Sequence, residues 1–387
     1  MKSYKTLTLL KGKEKALNRK HPWVFSGAFA ESAETPEEGE VVKVNTASGE
    51  CCGMGFYRNG GIRVLLFSFK EVDDIKAFFT NQLEKAIELR KQLGFFKDKN
   101  TNCFRLCFGE GDAMPGLVID KYGATAVIQV HHNGWQDFLK VISEILLSQA
   151  NINQVYSKPS AKTGLVSRYL HKPETANNEV QENGNRFIID WEGGQKTGFF
   201  IDQRQNRKRL SEMAKGKSVL NTFAYTGGFS VYALAAGAQK VVSVDLSAPA
   251  IELANENAKL NGFSEQHTGI VSDVVEHLKN EGDQYDIIVL DPPAFSKSKR
   301  TVHKAVQAYK RLNMLAFKRI KPGGLIFTFS CSQHISAQLF IDTLRAAGIE
   351  SEREIQVLEK LGQPIDHPMN LFFPEGEYLK GAILRVN

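Results

Sequence analysis

The chain has 387 residues, more than a single hydrophobic core usually supports, so two or three domains are expected. Its 42% hydrophobic and 24% charged residues exclude a disordered or fibrous chain; with no apolar run of bilayer or signal-peptide length, a cytoplasmic protein without a membrane partner is expected. The formal net charge of +6 is modest, so its distribution carries more information than its size.

The stretch from Lys2 to Lys20 is basic, with Glu14 as the one opposing acid. Through to about Phe69, short β-rich runs such as 41–44 and 62–66 are separated by glycine turns such as Asn59-Gly60-Gly61, which predicts a small β-barrel-like module. Helical periodicity follows over 73–93, with Ile75, Phe78, Phe79, Leu83, Ile87 and Leu89 spaced for one buried face. Strands at 116–119 and 124–130 predict a hairpin about Tyr122-Gly123, and a helix is expected over 135–147. The polar stretch 172–185 reads as a loop or hairpin leading into a last domain, giving expected domains of 1–70, 71–180 and 181–387.

From Ser218 onward, apolar runs at 219–220, 241–244, 287–290 and 325–329 alternate with helical stretches near 229–236, 249–260, 303–320 and 337–347. That alternation is the signature of βαβ units in a parallel, doubly wound sheet. Residues 354–359 and 379–386 are expected to close it, with the last strand a candidate for antiparallel pairing. The fold class is therefore α/β in the C-terminal half, preceded by a β-barrel module and a central α+β region. Of five cysteines, Cys51, Cys52, Cys103 and Cys107 read as packing residues; without paired C-x-x-C spacing no metal site is expected.

Chemistry-bearing residues gather at the predicted strand ends. The first strand runs into Phe223-Ala224-Tyr225-Thr226-Gly227-Gly228, where glycine permits close approach of a ligand in the crevice beyond the strands. Two adjacent glycines suit a ligand without pyrophosphate better than a dinucleotide. Asp245 ends the second strand, placed to accept from ribose hydroxyls, while Ser247 fills the following helix N-cap more naturally. Asp273 follows the third run, where an adenine amino group or an ordinary helix cap are alternative partners.

Asp291 ends the fourth strand and opens Asp291-Pro292-Pro293-Ala294-Phe295. Consecutive prolines stiffen the backbone and expose carbonyls, a wall suited to a flat base, and Phe295 can stack on that base or shape its pocket. From Phe295 to Lys321 there are nine Lys or Arg residues, among them Lys297, Lys299 and Arg300, and no acid. With the basic N-terminal stretch this makes two basic surfaces, which suit a polyanion.

The loop, Asp245, Asp273 and Asp291 together resemble the class I S-adenosylmethionine methyltransferases. The segment Lys196 to Arg207 resembles the stretch that closes over the cofactor in an RNA-modifying branch, and Asp202, Gln203, Arg204 and Arg207 are hard to explain as packing. The resemblance implies S-adenosyl-L-methionine as cofactor, held by Phe200, Asp202, Gln203 and Arg204; by Phe223, Ala224, Tyr225, Thr226 and Gly227; by Asp245, Leu246 and Ser247; by Asp273 and Val274; and by Asp291 and Pro292.

An Asp-Pro-Pro-aromatic motif also marks enzymes that methylate amino nitrogens, so it names a base as target rather than an atom. Cys331, delivered by the fifth strand in Ser330-Cys331-Ser332, discriminates. A thiolate adding at C6 of cytosine makes C5 enamine-like and able to accept a methyl group, after which loss of the C5 proton and the thiolate restores aromaticity. Asp291 would donate to N3 if protonated, or position the base if ionised.

Nearly the whole chain then resembles the bacterial PUA-domain large-subunit (23S) ribosomal RNA cytosine-C5 methyltransferases. The residues that carry this are Leu10-Lys11-Gly12-Lys13-Glu14, Arg19-Lys20-His21-Pro22-Trp23-Val24-Phe25-Ser26-Gly27-Ala28 and the central run Gly109 to Tyr122. It implies large-subunit ribosomal RNA as partner, bound by Lys11, Lys13, Arg19 and Lys20 of the first module and by Pro293, Phe295, Lys297, Lys299 and Arg300 beside the catalytic Cys331 and Asp291. A homodimer stands as an open alternative assembly. A sister group of ribosomal guanine methyltransferases shares a similar Asp-Pro-Pro-x-Phe-Ser-x-Ser-Lys segment without the cysteine. Many other RNA cytosine-C5 enzymes carry a second cysteine beside the Pro-Pro motif, where this chain has Ala294 and Phe295. The competing functions are methylation of a guanine or adenine nitrogen, and a non-catalytic RNA-binding assembly factor.

Overall fold

The structure, a computed structural model, describes residues 4–30, 35–173, 177–280, 282, 284–296 and 298–387. Lys297 of the basic run lies outside the described residues. Contacts divide the chain into two compact units, one of 1–178, 189–199 and 365–376, the other of 179–188, 200–364 and 377–387.

The first unit opens with β1 (Lys5–Thr8), α1 (Lys15–Asn18), β2 (Trp23–Phe25), β3 (Val41–Asn45), β4 (Cys51–Tyr57) and β5 (Ile62–Ser68). They form a five-stranded sheet in the order β1-β3-β4-β5-β2. Alternation along β3 buries Val42 and Val44 completely, and they pack with Leu7, Val24, Val64 and Leu66.

After α2 (Ile75–Gln92) come β6 (Cys103–Phe108), β7 (Leu117–Tyr122), β8 (Thr125–Val130), α3 (Leu139–Gln149), β9 (Gln154–Ser157) and β10 (Arg168–His171). The second sheet runs β10-β9-β8-β7-β6. The β7–β8 pair is the expected hairpin, with Tyr122 opposite Thr125. Asp74 caps α2 by accepting from the Ala77 amide at 3.0 Å. Arg90 sits fully buried on the inner face of α2 because both its terminal nitrogens reach Asp112, at 2.7 and 2.9 Å.

The helix expected from residue 135 begins later. Residues Asn133–Phe138 form a 3-10 turn, and α3 starts at Leu139. The Trp135 indole donates to the Pro115 carbonyl at 2.9 Å, and a Cβ at Gly134 would lie 2.3 Å from the Phe56 ring. Tertiary contacts therefore set the backbone here against the apolar period. Met54, Phe56 and Phe67 of the first sheet share one core with Phe79 and Leu83 of α2 and Leu106, Ile119 and Ile128 of the second sheet.

The second unit begins with a hairpin of β11 (Glu179–Glu182) and β12 (Asn185–Ile188), turning through Asn183 and Gly184 at positive φ. There follow α4 (Arg204–Ser211), β13 (Ser218–Thr222), α5 (Gly228–Ala235), β14 (Lys240–Asp245), α6 (Ala248–Leu260), β15 (His267–Val271), α7 (Val274–Lys279), β16 (Tyr285–Leu290), α8 (Val302–Arg319), β17 (Ile320–Ser330), α9 (Ala337–Ser351), β18 (Ile355–Leu361) and β19 (Lys380–Val386). The sheet order is β15-β14-β13-β16-β17-β19-β18.

The first five strands in that order are mutually parallel, and β19 lies antiparallel between β17 and β18. Parallel strands covered on both faces become continuous apolar runs, as in Ile287 to Leu290, all fully buried. The chain order reverses at β13, which has β14 on one side and β16 on the other. That switch point opens a crevice at the carboxyl ends of the strands. No helix among the described residues is long and apolar enough to cross a membrane.

Candidate functional site

The loop leaving β13 carries three left-handed residues in alternation, Phe223 at φ 52°, Tyr225 at 47° and Gly227 at 77°. For the two aromatic residues this conformation is strained, and such strain persists only where surrounding contacts impose it. Those contacts are present. The Ala224 amide donates to the Val244 carbonyl at 3.1 Å, Tyr225 N–H donates to Asp245 Oδ2 at 2.9 Å, and Asn257 of α6 donates to the Thr226 carbonyl at 2.9 Å.

The two glycines do different work. A Cβ at Gly227 would lie 3.0 Å from the Ala254 methyl, so the loop presses against α6; at Gly228 it would lie 3.1 Å from Cδ of Arg207. Ala224 and Thr226 are buried within the loop, while Phe223 and Tyr225 remain half-buried at its surface.

Asp245 at the end of β14 accepts from Tyr225 N–H and, through Oδ1, from Ser247 N–H at 3.0 Å. A carboxylate has about four acceptor positions, so two amides fix its orientation and leave capacity for the hydroxyls of a ligand. Ser247 accepts from the Ala250 amide and caps α6, as its position after Asp245 suggests. Leu246 is 72% exposed, an apolar side chain bare beside the crevice. Asp273 accepts from Glu276 N–H at 3.0 Å and caps α7, so the ordinary cap is part of its role; Val274 is buried in the core beneath.

In the preceding segment the Phe200 ring meets Tyr225 edge-on at 5.1 Å. Asp202 accepts from the Tyr378 hydroxyl at 2.6 Å, and Gln203 accepts from Asn206 at 2.6 Å. Arg204 is 5% exposed. Arg207, hard to explain from sequence as packing, does have a structural partner. It lies in a buried bidentate pair with Glu182 at 2.9 Å for both bonds, and its remaining terminal nitrogen donates to the Phe200 carbonyl at 2.9 Å.

The second cluster sits on the other side of the switch point. β16 and β17 pair with Leu290 opposite Thr328, so their ends adjoin. Asp291, half-buried, and buried Pro292 leave one strand, while half-buried Cys331 leaves the other with its Sγ 3.9 Å from the Pro292 carbonyl oxygen. Ser332 ties these ends together by accepting from Ser296 N–H at 3.2 Å and bonding the Tyr309 hydroxyl of α8 at 3.0 Å. Pro293 is exposed, and the Phe295 ring leans on Tyr309 at 4.7 Å.

The basic residues divide into free and engaged groups. Lys299 and Arg300 are exposed on the turn before α8, but Lys310 pairs with Glu350 at 2.7 Å and Lys321 with Asp286 at 3.0 Å. In the first unit Lys11, Lys13, Arg19 and Lys20 are all exposed.

Sequence reasoning passed over Tyr309, Ser332 and Lys380, which surround Cys331. Lys380 heads β19 opposite Ser330, only 6% exposed, and donates to the carbonyls of Ser332 at 2.8 Å and Tyr378 at 2.7 Å. A lone charge at the head of the otherwise apolar run Gly381 to Leu384 was the available signal. Burial lowers its pKa from the ordinary lysine value, with Cys331 acting in the opposite direction.

A family model described as S-adenosylmethionine-dependent methyltransferase matches residues 154–370, and one described as PUA-like domain matches residues 7–69. The chain is 38% identical to ribosomal RNA large subunit methyltransferase I of Aeromonas hydrophila, over 98% of this chain and 99% of that protein. It is also 38% identical to the protein of the same name from Alteromonas mediterranea, over 97% of each. Among solved structures, a methyltransferase in complex with S-adenosylhomocysteine matches with a TM-score of 0.86 at 25% identity, covering 99% of this chain and all of that one. An S-adenosylmethionine-dependent methyltransferase from Streptococcus mutans gives a TM-score of 0.85, again at 25% identity and covering 99% of this chain and 100% of that one.

Proposed function

We propose that this chain, which belongs to the family of S-adenosylmethionine-dependent methyltransferases with an N-terminal PUA-like domain, methylates carbon 5 of a cytosine in large-subunit ribosomal RNA through a covalent bond from Cys331. The observation that carries the chemistry is the thiol of Cys331 at the end of β17, 3.9 Å from the Pro292 carbonyl and beside Asp291. The relatives' name supports the RNA, and the exposed Lys11, Lys13, Arg19 and Lys20 supply cations for its phosphates.

The residues present fit the cofactor. Gly227 gives the loop its close approach to α6, Asp245 is oriented with acceptor capacity to spare, and Leu246 offers an apolar wall. In this reading the β13 loop, Asp245 to Ser247, Asp273 and the Phe200–Arg204 segment hold S-adenosylmethionine. When bound, it supplies an electrophilic methyl group to the base.

The protein's part is to make the base nucleophilic. Bond formation from Cys331 Sγ to C6 shifts the C5–C6 π electrons onto C5, which takes the methyl group; removal of the C5 proton then re-forms the double bond and expels the thiolate. Pro292 and Pro293 form the rigid wall of the base pocket, and Asp291 orients the ring. Phe295, held by Tyr309, shapes that pocket, and exposed Lys299 and Arg300 take the flanking phosphates. We assign residues 1–70 as the RNA-binding module, 71–180 as a central α+β domain and 181–387 as the catalytic domain.

The test is transfer of label from methyl-labelled S-adenosylmethionine to unmodified ribosomal RNA, followed by identification of the labelled base. Label is expected in 5-methylcytosine of the large-subunit RNA. Label on a guanine or adenine nitrogen would replace this reading with amine methylation at the same Asp291-Pro292-Pro293 wall.

A further inference from the structure

We infer that Lys380 is a positioning residue that keeps Cys331 in its thiolate form, in place of any help from a partner cysteine; this rests on the reading of Cys331 as nucleophile. A free thiol has a pKa of about 8.5 and is only a few per cent ionised at neutral pH, so an unaided Cys331 would be mostly protonated. Among the described residues the alternatives on the strand ends are few. Ala294 and Phe295 carry no ionisable group, and Asp291 would oppose a nearby anion.

Lys380 has the placement this role requires. Register across β17 and β19 sets it opposite Ser330, one residue before Cys331. Its ammonium is buried and bonded to two neutral carbonyls, one of them on Ser332. Those bonds fix the backbone one residue beyond Cys331, but they leave the positive charge uncompensated by any hydrogen-bonded carboxylate among the described residues. A buried cation of this kind favours an anion beside it. The proton lost by Cys331 passes to solvent while Lys380 retains its own.

The other described groups around the thiol leave this assignment in place. Tyr309 of α8 is a phenol whose pKa burial raises, so it stays neutral. Tyr378 spends its hydroxyl on Asp202, and Glu377 and His334 are exposed. Asp291 at the neighbouring strand end and Glu377 are both acidic, so neither stabilises a thiolate. Burial works to strip the proton from Lys380, and Cys331 and Glu377 work to retain it.

The test uses the full chain without RNA or cofactor. The rate of carboxamidomethylation of Cys331 by iodoacetamide is followed from pH 5.5 to 9.5 by peptide mass spectrometry, which separates the five cysteines. Cys52, whose thiol burial pushes up to about 11, serves as a slow internal reference. Lys380→Arg keeps the charge, whereas Lys380→Gln keeps hydrogen-bond donors and loses it.

The arginine variant is expected to react at pH 7 within about threefold of the wild type. The glutamine variant should react about tenfold more slowly at pH 7, its midpoint moved to higher pH, and recover the wild-type rate at the alkaline end. An unshifted midpoint in Lys380→Gln would overturn the inference, as would equal slowing at every pH, which marks a purely structural tether. The alkylation profile does not depend on methyl transfer. Full methylation by Cys331→Ala would therefore remove the nucleophile while leaving the Lys380 result to be judged separately.

Discussion

Replacing Cys331 with alanine is expected to reduce methyl transfer to RNA by about 10⁴-fold or more, with cofactor affinity within about twofold of the wild type. The asymmetry follows from position. Cys331 leaves β17, whereas the β13 loop, Asp245 to Ser247 and Asp273, proposed with the Phe200–Arg204 segment to hold the cofactor, follow β13, β14 and β15. The substitution removes one half-buried sulfur, whose contact with the Pro292 carbonyl is long at 3.9 Å, so little folding energy is at stake. Single-turnover methylation and calorimetric titration of the cofactor give the two readings. Amine methylation would instead leave turnover intact, because no covalent intermediate is needed when the attacking atom is an exocyclic nitrogen.

The second large effect concerns folding. Arg207→Met should destabilise the second unit by roughly 3–5 kcal/mol, read as a fall in the urea midpoint, because Glu182 would be left as a buried carboxylate without its cation. Glu182 is fully buried, and its other side-chain partner is the Tyr232 hydroxyl at 2.9 Å. Replacing both residues, as in Arg207→Met with Glu182→Leu, should recover much of the loss by removing the desolvated charge altogether. Cofactor affinity should fall even where the protein is kept folded, because Arg207 also holds the Phe200 carbonyl and lies under Gly228.

The pair Arg207–Glu182 also illustrates what a sequence exposes and what it conceals. The alternation after Ser218 is legible because strands covered on both faces must be apolar throughout and the intervening helices must bury one stripe. Strand ends follow from that alternation, so the placement of Asp245, Asp291 and Cys331 at the ends of β14, β16 and β17 was legible. Helix α4 was not. Its sequence, Arg-Gln-Asn-Arg-Lys-Arg-Leu-Ser, has no apolar period, and it is seated by ionic and amide contacts whose partners lie in a polar hairpin 25 residues earlier and in the segment after β18. Polar residues that read as ligand contacts can therefore be doing structural work, and Arg207 does.

Lys380 was concealed for a related reason. Its importance depends on which residue β17 presents opposite it, and antiparallel register across some fifty residues leaves no local trace. The late start of α3 is a third case, since the indole bond from Trp135 to Pro115 is a tertiary contact that outweighs the helical pattern of the residues following it. Asp273 shows the reverse: both of its possible roles were visible, and its capping of α7 leaves acceptor capacity for a ligand as well.

The most direct test of the covalent chemistry is to trap it. Ribosomal RNA carrying 5-fluorocytidine presents a C5 position that can be methylated but has no proton to lose, so the bond from Cys331 to C6 cannot be released. Incubation with S-adenosylmethionine, digestion and mass spectrometry should yield a peptide whose Cys331 carries a methylated fluoropyrimidine nucleotide, and Cys331→Ala should yield none. Full methylation of ordinary RNA, with no adduct on Cys331 from the fluorinated RNA, would contradict the account.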